Sequence, residues 1–397
     1  MDVLLSAGLA ALFLLGLALE RARLDRRRAR VKLRVCVTGT RGKSTVTRLV
    51  ASIVRESGRR VLAKTTGSRP VLLLPDGGEQ EIVRTGPPTV LEQKRVLALA
   101  EKLGAEAVVV EMMSVRPEYL EVESNRIFKP GLVLLTNVRL DHEEEMGGTK
   151  DRVAASLAAA IPEGGTVLLP EEERHPIFDR RAKERRAVLA AVPRKAGEDE
   201  AGPSLAAPLF PEHERLALAA AEALGIDGET ARRGLSLASE DSGRLAAYAI
   251  PSPLSGSTWV FVNAFAANEP ESTALALSAL EARNPTWPAF RVALLALRPD
   301  RPARTKQWLR ALGEGFFAEF SELVIVGEGA AAAARAVRRR SAGRPAVSAV
   351  ASKKPEDVMA RLWPLTSEEG LVAGLGNFVG LGAALTESWS RLGVRTE

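Results

Sequence analysis

Cysteine is almost missing from this chain of 397 residues; Cys36 is the only one. An intramolecular disulfide is therefore excluded, which fits a reducing compartment. Cys36 itself lies in an apolar run, where a small buried side chain is the simplest role. Aromatic residues are scarce at 5%, which argues against the stacking platforms that grip single-stranded nucleic acid. No solenoid-type repeat is present. Hydrophobic residues make up 46% and charged residues 26%, so bulk disorder is excluded. At about 100–200 residues per domain, the length suits two or three domains.

Charge is present in one concentrated block. The net charge is +6, and residues 21–34 include Arg26, Arg27, Arg28 and Arg30. This block follows residues 3–19, which are apolar or small and carry no charge. The run is at the short end of a membrane span, about 17–25 residues. The marks of a cleaved signal peptide are lacking: the positive charge comes after the apolar run, Asp2 is acidic, and no small-residue cleavage site precedes the basic block. A signal anchor accounts for both segments, with the basic side and the bulk of the chain cytoplasmic. A membrane surface suits the basic block better than nucleic acid does. The competing reading is a buried N-terminal helix of a soluble domain.

Beyond the basic block, apolar strand-like runs alternate with helical patterns. Residues 34–38 read as a buried strand. Residues 43–57 carry Val46, Leu49, Val50, Ile53 and Val54 on one helical face, with Gly58 at the C-cap. Further strands are expected at 61–64, 107–110, 132–135 and 166–169, and helices at 89–103 and 150–160. The alternation predicts a parallel sheet covered on both faces. Residues 171–211 are rich in charge, Pro and Ala, with weak periodicity, and read as a loose connection. A helical pair is expected at 212–224 and 228–235. A second alternating series starts near residue 251, with strands at 259–263, 292–297, 323–326, 346–350 and 371–373, and helices at 271–283, 305–317 and 355–363. The expected division is an anchor at 1–30, an ATP-binding α/β domain at 31–250 and a second α/β domain at 251–397.

The most informative segment runs Val37-Thr38-Gly39-Thr40-Arg41-Gly42-Lys43-Ser44-Thr45. It follows a strand and opens a helix. Gly39 and Gly42 let the backbone turn and point N–H groups at an anion, and the helix N-terminus adds a positive dipole end. Lys43 is placed to reach the β- and γ-phosphates of ATP, and the Ser44 hydroxyl to ligate Mg²⁺. Val37 stands where the first glycine of the longer P-loop pattern belongs, so only the shorter G-x-x-G-K-S form is met.

Two other expected strands end in polar groups: Glu111-Met112-Met113-Ser114, and Thr136-Asn137-Val138-Arg139-Leu140-Asp141-His142. Ligands bind beyond the carboxyl ends of strands in open parallel sheets. Glu111 and His142 are thus candidates to meet Mg²⁺ near the phosphates. The carboxylate is the more natural ligand for a hard cation. Taken singly, Glu111 also suits a helix cap and His142 a surface position. Asp141 is either a general base or the partner that orients His142.

These segments, in this order, resemble the Mur ligase superfamily, which includes folylpolyglutamate synthases. Ser242-Gly243-Arg244 resembles the Gly-Arg that closes the family's central domain. Within the superfamily the chain looks most like the poly-γ-glutamate synthase ligases. That likeness rests on Gly39–Thr45, Asn137–His142, the run from Val262 through Asn263, Asn268 and Glu269 to Ser272, and Arg298-Pro299-Asp300-Arg301 with Arg304. The resemblance implies a P-loop central domain with a parallel sheet and a C-terminal Rossmann-like α/β domain, behind the anchor helix. It implies ATP bound by Gly39, Thr40, Arg41, Gly42, Lys43, Ser44, Thr45 and Asn137. Ser44, Glu111 and His142 would hold Mg²⁺, with Mn²⁺ as an alternative. The implied reaction activates a glutamate carboxylate as an acyl phosphate, which an amine then attacks, with Lys43, Glu111, His142 and Asp141 as the catalytic set.

A growing polyglutamate carries one carboxylate per residue, so Arg139, Arg298, Arg301 and Arg304 are candidates to grip it bidentately, beside Asn263 and Asn268. An exported polyanion implies membrane partners, and the resemblance implies that these are small integral membrane subunits of a synthase and export complex; a homo-oligomer is a further expectation, and nucleic acid is not. The chain departs from its relatives in several places. Only the anchor precedes the phosphate loop, which argues against a nucleotide-sugar substrate. The His-Asn-x-x-Asn found near adenine in many relatives is replaced by a stretch in which His213 stands without the asparagines. No residue is assigned as a carbamylated lysine. Residues 374–378 suit either a nucleotide-domain turn or a contact for a membrane partner. The competing functions are a soluble folylpolyglutamate-like ligase, a membrane-tethered transport ATPase or kinase, and a nonenzymatic nucleotide-binding subunit.

Overall fold

The structure, a computed structural model, describes residues 2–67, 69–84, 86–194, 210–239, 243–284, 286–339 and 345–396. It divides into two units. The first holds Met1–Val138, Glu145–Arg194 and Glu212–Ser239; the second holds Arg139–Glu144, Lys195–Pro211 and Glu240–Glu397. Ser242, part of the expected Ser-Gly-Arg turn, lies outside the described residues.

The first unit opens with helix α1, Asp2–Arg30. Its 29 residues extend over about 43 Å at 1.5 Å per residue. Leu5, Leu9, Leu12, Phe13, Leu14, Leu15, Leu17 and Leu19 are all exposed, so the alternative of a buried core helix does not hold for this stretch. The helix is long and apolar enough to cross a membrane. Its basic end is instead docked on the unit. The Arg28 guanidinium is buried and donates from Nε to the Ile127 carbonyl at 2.8 Å, and Arg27 Nε donates to Glu101 at 3.2 Å.

The sheet of this unit has eight strands: β1 Leu33–Thr38, β2 Val61–Thr65, β3 Val71–Leu73, β4 Glu79–Glu81, β5 Ala107–Glu111, β6 Leu132–Leu135, β7 Thr166–Pro170 and β8 Val188–Val192. Their order is β4-β3-β2-β5-β1-β6-β7-β8. The six strands from β2 to β8 are parallel, as the alternating pattern predicts. The hairpin β3–β4 adds two antiparallel strands at one edge. Helix α2, Lys43–Glu56, buries Val46, Val50, Ile53 and Val54, the face expected from their spacing. Helix α3, Glu92–Leu103, packs beside α1.

Residues 171–194 correct the expectation of a loose connection. They form a short 3-10 turn, the helix Pro176–Arg185 and the strand β8. The weak periodicity has a physical cause. That helix buries only Phe178 and Ala182, one turn apart, and is held largely by ion pairs, such as Arg185 to Glu121 and Glu163. β8 is an edge strand with no fully buried residue.

The second unit carries strands β9 Ala246–Pro251, β10 Thr258–Asn263, β11 Arg291–Ala296, β12 Glu322–Val326, β13 Ala346–Val350, β14 Gly370–Gly376 and β15 Val394–Arg395, in the order β13-β12-β11-β14-β10-β9-β15. Five are parallel; β9 runs antiparallel to β10 and pairs with β15. The alanine-rich β9 lacks the β-branched and aromatic density that marks its neighbours, which hid it from sequence reading. β10 shows the period-two alternation of a strand buried on both faces. Trp259 and Phe261 pack with Trp363 and Trp389 on one side, while Val262 joins Trp308 and Phe317 on the other.

Candidate active site

β1, β5 and β6 lie side by side, with β1 in the middle. Their carboxyl ends therefore deliver the phosphate loop, Glu111 and Thr136-Asn137 to one edge of the sheet. The chain goes to one side of β1 for β2 and β5 and to the other for β6, so this edge is a topological switch point.

The loop's shape needs its glycines. Gly39 has φ +125°, and a Cβ there would run into the Thr136 hydroxyl. Gly42 has φ +75°, and a Cβ would overlap the His213 ring. His213 is thus brought against the phosphate loop although the asparagines of its relatives' motif are missing. Asn137 buttresses the loop from β6. Its Oδ1 accepts from the Thr40 hydroxyl at 2.7 Å and from Arg41 N–H at 2.9 Å, and its Nδ2 donates to the Arg41 carbonyl at 3.2 Å. Thr136, which precedes Asn137 at the end of β6, also donates to that carbonyl. Lys43 Nζ lies along the loop, donating to the Gly39 carbonyl at 2.8 Å and the Thr40 carbonyl at 3.2 Å.

Ser44 Oγ donates to Glu111 Oε2 at 2.7 Å, and the Thr66 N–H donates to the same oxygen at 2.7 Å. Glu111 is buried. A hydroxyl and a carboxylate at hydrogen-bond distance make a compact pair of hard oxygen donors, the chemistry that a small divalent cation selects. Among the described residues no three His, Cys, Asp or Glu side chains form a metal-holding group. An ion held by so few protein donors would complete its shell with water and phosphate oxygens. The backbone cradle and the N-terminus of α2 suit the phosphates themselves.

Sequence reading did not mark an ionic cluster on the neighbouring strand. Lys64, on β2, is fully buried and 2.9 Å from Glu92, which also pairs with Arg84. Burial opposes ionisation of Glu92, but hydrogen bonds from Arg84 and Lys64 outweigh it and hold the carboxyl at about 2. Burial also lowers Lys64 from its ordinary value, with Glu92 opposing. Glu123, buried nearby, accepts from Gln93 and from the Ser114 N–H just past Glu111.

The remaining candidates fall in the second unit. Asp141 Oδ1 accepts from the His142 N–H at 2.9 Å, and its other oxygen lies 3.6 Å from His142 Nε2. His142 has φ +49°, uncommon for a residue with a Cβ. Arg304 gathers this segment: it donates to Asn377 Oδ1 at 2.9 Å and Asn268 Oδ1 at 3.3 Å, and lies 3.6 Å from Asp141. Asn377, absent from the expected set, also donates to the Ala296 carbonyl at 3.0 Å. Asn263 donates to the Arg244 carbonyl at 2.9 Å. Arg139 reaches the Ser272 hydroxyl at 3.4 Å. Arg298 makes a bidentate pair with Asp300 at 3.0 and 2.7 Å, and Arg301 is exposed. Asn268, Arg304 and Asp141 are thus brought together, while Arg298 is paired with Asp300.

Residues 37–201 match the Mur ligase middle domain, and residues 252–392 match the poly-gamma-glutamate synthase CapB C-terminal domain. The "PGA synthase CapB" of Bacillus subtilis is 30% identical over 387 residues, covering 97% of this chain and 96% of that protein. The chain belongs to the CapB family of Mur-type ligases. Another relative, the "Capsule biosynthesis protein CapB" of Bacillus anthracis, is 31% identical over 96% of this chain and 81% of its own length. In fold, the chain is similar to the bifunctional folylpolyglutamate synthase/dihydrofolate synthase of Yersinia pestis complexed with AMPPNP and Mn ion. That likeness has a TM-score of 0.64 at 15% identity and covers 94% of this chain and 92% of the other. Family membership removes the transport ATPase and the nonenzymatic subunit as readings.

Proposed function

We propose that this chain polymerises glutamate through γ-carboxylate amide links, with ATP as the energy source. One observation carries the assignment to chemistry: the Ser44–Glu111 pair, 2.7 Å apart at the mouth of a glycine-shaped phosphate loop, within a chain of the CapB family. ATP supplies the phosphoryl group that converts an unreactive carboxylate into an acyl phosphate, and an incoming α-amine displaces phosphate from it. Phosphoryl transfer depends mainly on positioning and charge neutralisation. Gly39–Thr45 wrap the phosphates, and Lys43 leaves its loop carbonyls to meet the γ-phosphoryl oxygens. Ser44 and Glu111 would hold Mg²⁺, or Mn²⁺ in its place, to neutralise phosphate charge, and His142 is the further ligand that the family resemblance implies. Asn137 holds the loop's shape, as its bonds to Thr40 and Arg41 indicate.

Arg304 and Asn268, with Asn263, frame the glutamate subsite, and Asp141 is either the amine's base or the group that fixes His142. Arg139, Arg298 and Arg301 supply charge along the path of the polymer. The exposed apolar face of α1 supports membrane anchoring with the catalytic units cytoplasmic, working with small integral membrane subunits.

The test is ADP release from membranes carrying the protein and its co-expressed membrane partners, with ATP, Mg²⁺ and glutamate, beside a Lys43→Ala control. Glutamate-dependent release with a γ-linked product, lost in the control, is expected. ATP turnover with no amide product would sink the ligase assignment.

A further inference from the structure

The junction between α1 and α3 carries a feature that the ligase chemistry does not use. A cavity of about 220 Å³ lies between the two helices, lined by Glu20, Arg23, Leu24, Arg27, Lys94, Arg95 and Ala98. Four of its side chains are cationic and one is anionic. Lys94 pairs with Glu20 at 2.6 Å, and Arg27 with Glu101 at 3.2 Å. Among the described residues, neither Arg23 nor Arg95 makes a side-chain hydrogen bond or ion pair with the protein, and both are exposed. Leu24 is buried and provides an apolar floor.

Position decides what such a cavity suits. The exposed apolar face of α1 ends at Leu19. At 1.5 Å per residue, Arg23 follows about 6 Å beyond it and Arg27 about 12 Å. The polar layer of a bilayer leaflet is about 5–8 Å deep outside the hydrocarbon core. Arg23 therefore stands within that layer, and the cavity opens where lipid phosphates lie. Arg23 and Arg27 come from the anchor, but Lys94 and Arg95 come from the first helix after the β3–β4 hairpin, in the body of the ATP-binding unit.

We infer that this cavity binds the phosphodiester headgroup of an anionic lipid, with Arg23 and Arg95 as the two arms that hold it. The inference rests on the membrane-anchor reading of α1 and extends it: the ATP-binding unit itself touches the membrane surface through α3, rather than hanging from a bare tether. The direct docking of Arg28 on the Ile127 carbonyl makes the helix and this unit one piece, so a lipid in the cavity clamps both together.

The test uses the full chain, released from membranes in mild detergent, with phosphatidylglycerol, phosphatidylcholine and inorganic phosphate as separate probes. Retained lipid is read by native mass spectrometry for the wild type and for the Arg23→Ala/Arg95→Ala double variant. At about tenfold in affinity for every lost 1.4 kcal/mol, and with each basic residue contributing modestly near an anionic surface, retention of phosphatidylglycerol should drop about 30-fold in the variant. Phosphatidylcholine should be retained weakly by both. Equal retention of phosphatidylglycerol by the two proteins overturns the site. So does protection of the protein against thermal unfolding by inorganic phosphate alone with no lipid preference, or selective retention of γ-glutamate oligomers in place of lipid. Both residues are exposed, and unchanged thermal unfolding of the lipid-free variant verifies its fold. Carbonate washing separates the two ideas. A wild-type chain that washes off membranes refutes the anchor and the site with it, whereas one that stays but shows no preference for the anionic lipid refutes only the site.

Discussion

The strand ends of the two sheets hold their marked residues in opposite ways. In the first unit the phosphate loop is held mostly through its backbone: Lys43 donates to two loop carbonyls, and Asn137 bonds the Arg41 N–H and carbonyl as well as the Thr40 hydroxyl. In the second unit, side chains hold each other, with Arg304 joining Asn268, Asn377 and Asp141. The difference teaches that a cradle closed on its own backbone, with Asn137 as its brace, can spare a phosphate-contacting side chain such as Lys43 without losing the fold. A side-chain hub makes stability and function inseparable.

The sharpest way to break this contrast is to remove the lysine. Lys43→Ala should lower glutamate-dependent ADP release by about 10²–10³-fold, the usual loss for one charge-stabilising group, while urea unfolding stays near wild type. A large drop in stability would show that the loop does depend on its side chains. Arg304→Met is the mirror experiment. It leaves the nearly buried Asp141 carboxylate without its arginine, so a cost of about 3 kcal/mol is expected in chemical denaturation. Nucleotide binding, measured by calorimetry, should survive, because Lys43 and Asn137 hold the phosphate loop from within its own unit.

Acidification sharpens the comparison within the first unit. Glu92 has an ordinary value of 4.5 and is held at about 2 in the folded chain. The folded pKa is the lower one, so its stabilising contribution is complete above pH 4.5 and is lost as pH falls toward 2. Glu92→Gln should flatten that part of the stability–pH curve; an unchanged curve would mean the cluster of Lys64, Arg84 and Glu92 is not what titrates there. The smallest effect belongs to Arg298, whose partner Asp300 is its exposed neighbour. Arg298→Ala should change stability by no more than about 0.5 kcal/mol. A raised KM for glutamate at unchanged stability would place it on the polymer's path.

Much of the architecture is legible in the sequence. The strands beginning near residues 34, 107, 132, 259, 292 and 323 are visible as apolar runs because parallel strands are buried on both faces. Elements stabilised by other means were hidden. β8 is half exposed, its preceding helix is tied by Arg185 to Glu121 and Glu163, and half of β9 is alanine. Lys64 looked like the end of a strand; nothing local distinguishes a lysine that will be sealed against Glu92, 28 positions away.

By itself the sequence determined the phosphate loop, since Gly39, Gly42, Lys43 and Ser44 work through backbone geometry and spacing within a few residues. It also determined the apolar helix, because residues 3–19 are all apolar or small and carry no charge. Only the tertiary structure decided which distant groups meet. Glu111 finds Ser44 across 67 positions and Arg304 finds Asn377 across 73, because strand order, not sequence distance, sets which strand ends become neighbours.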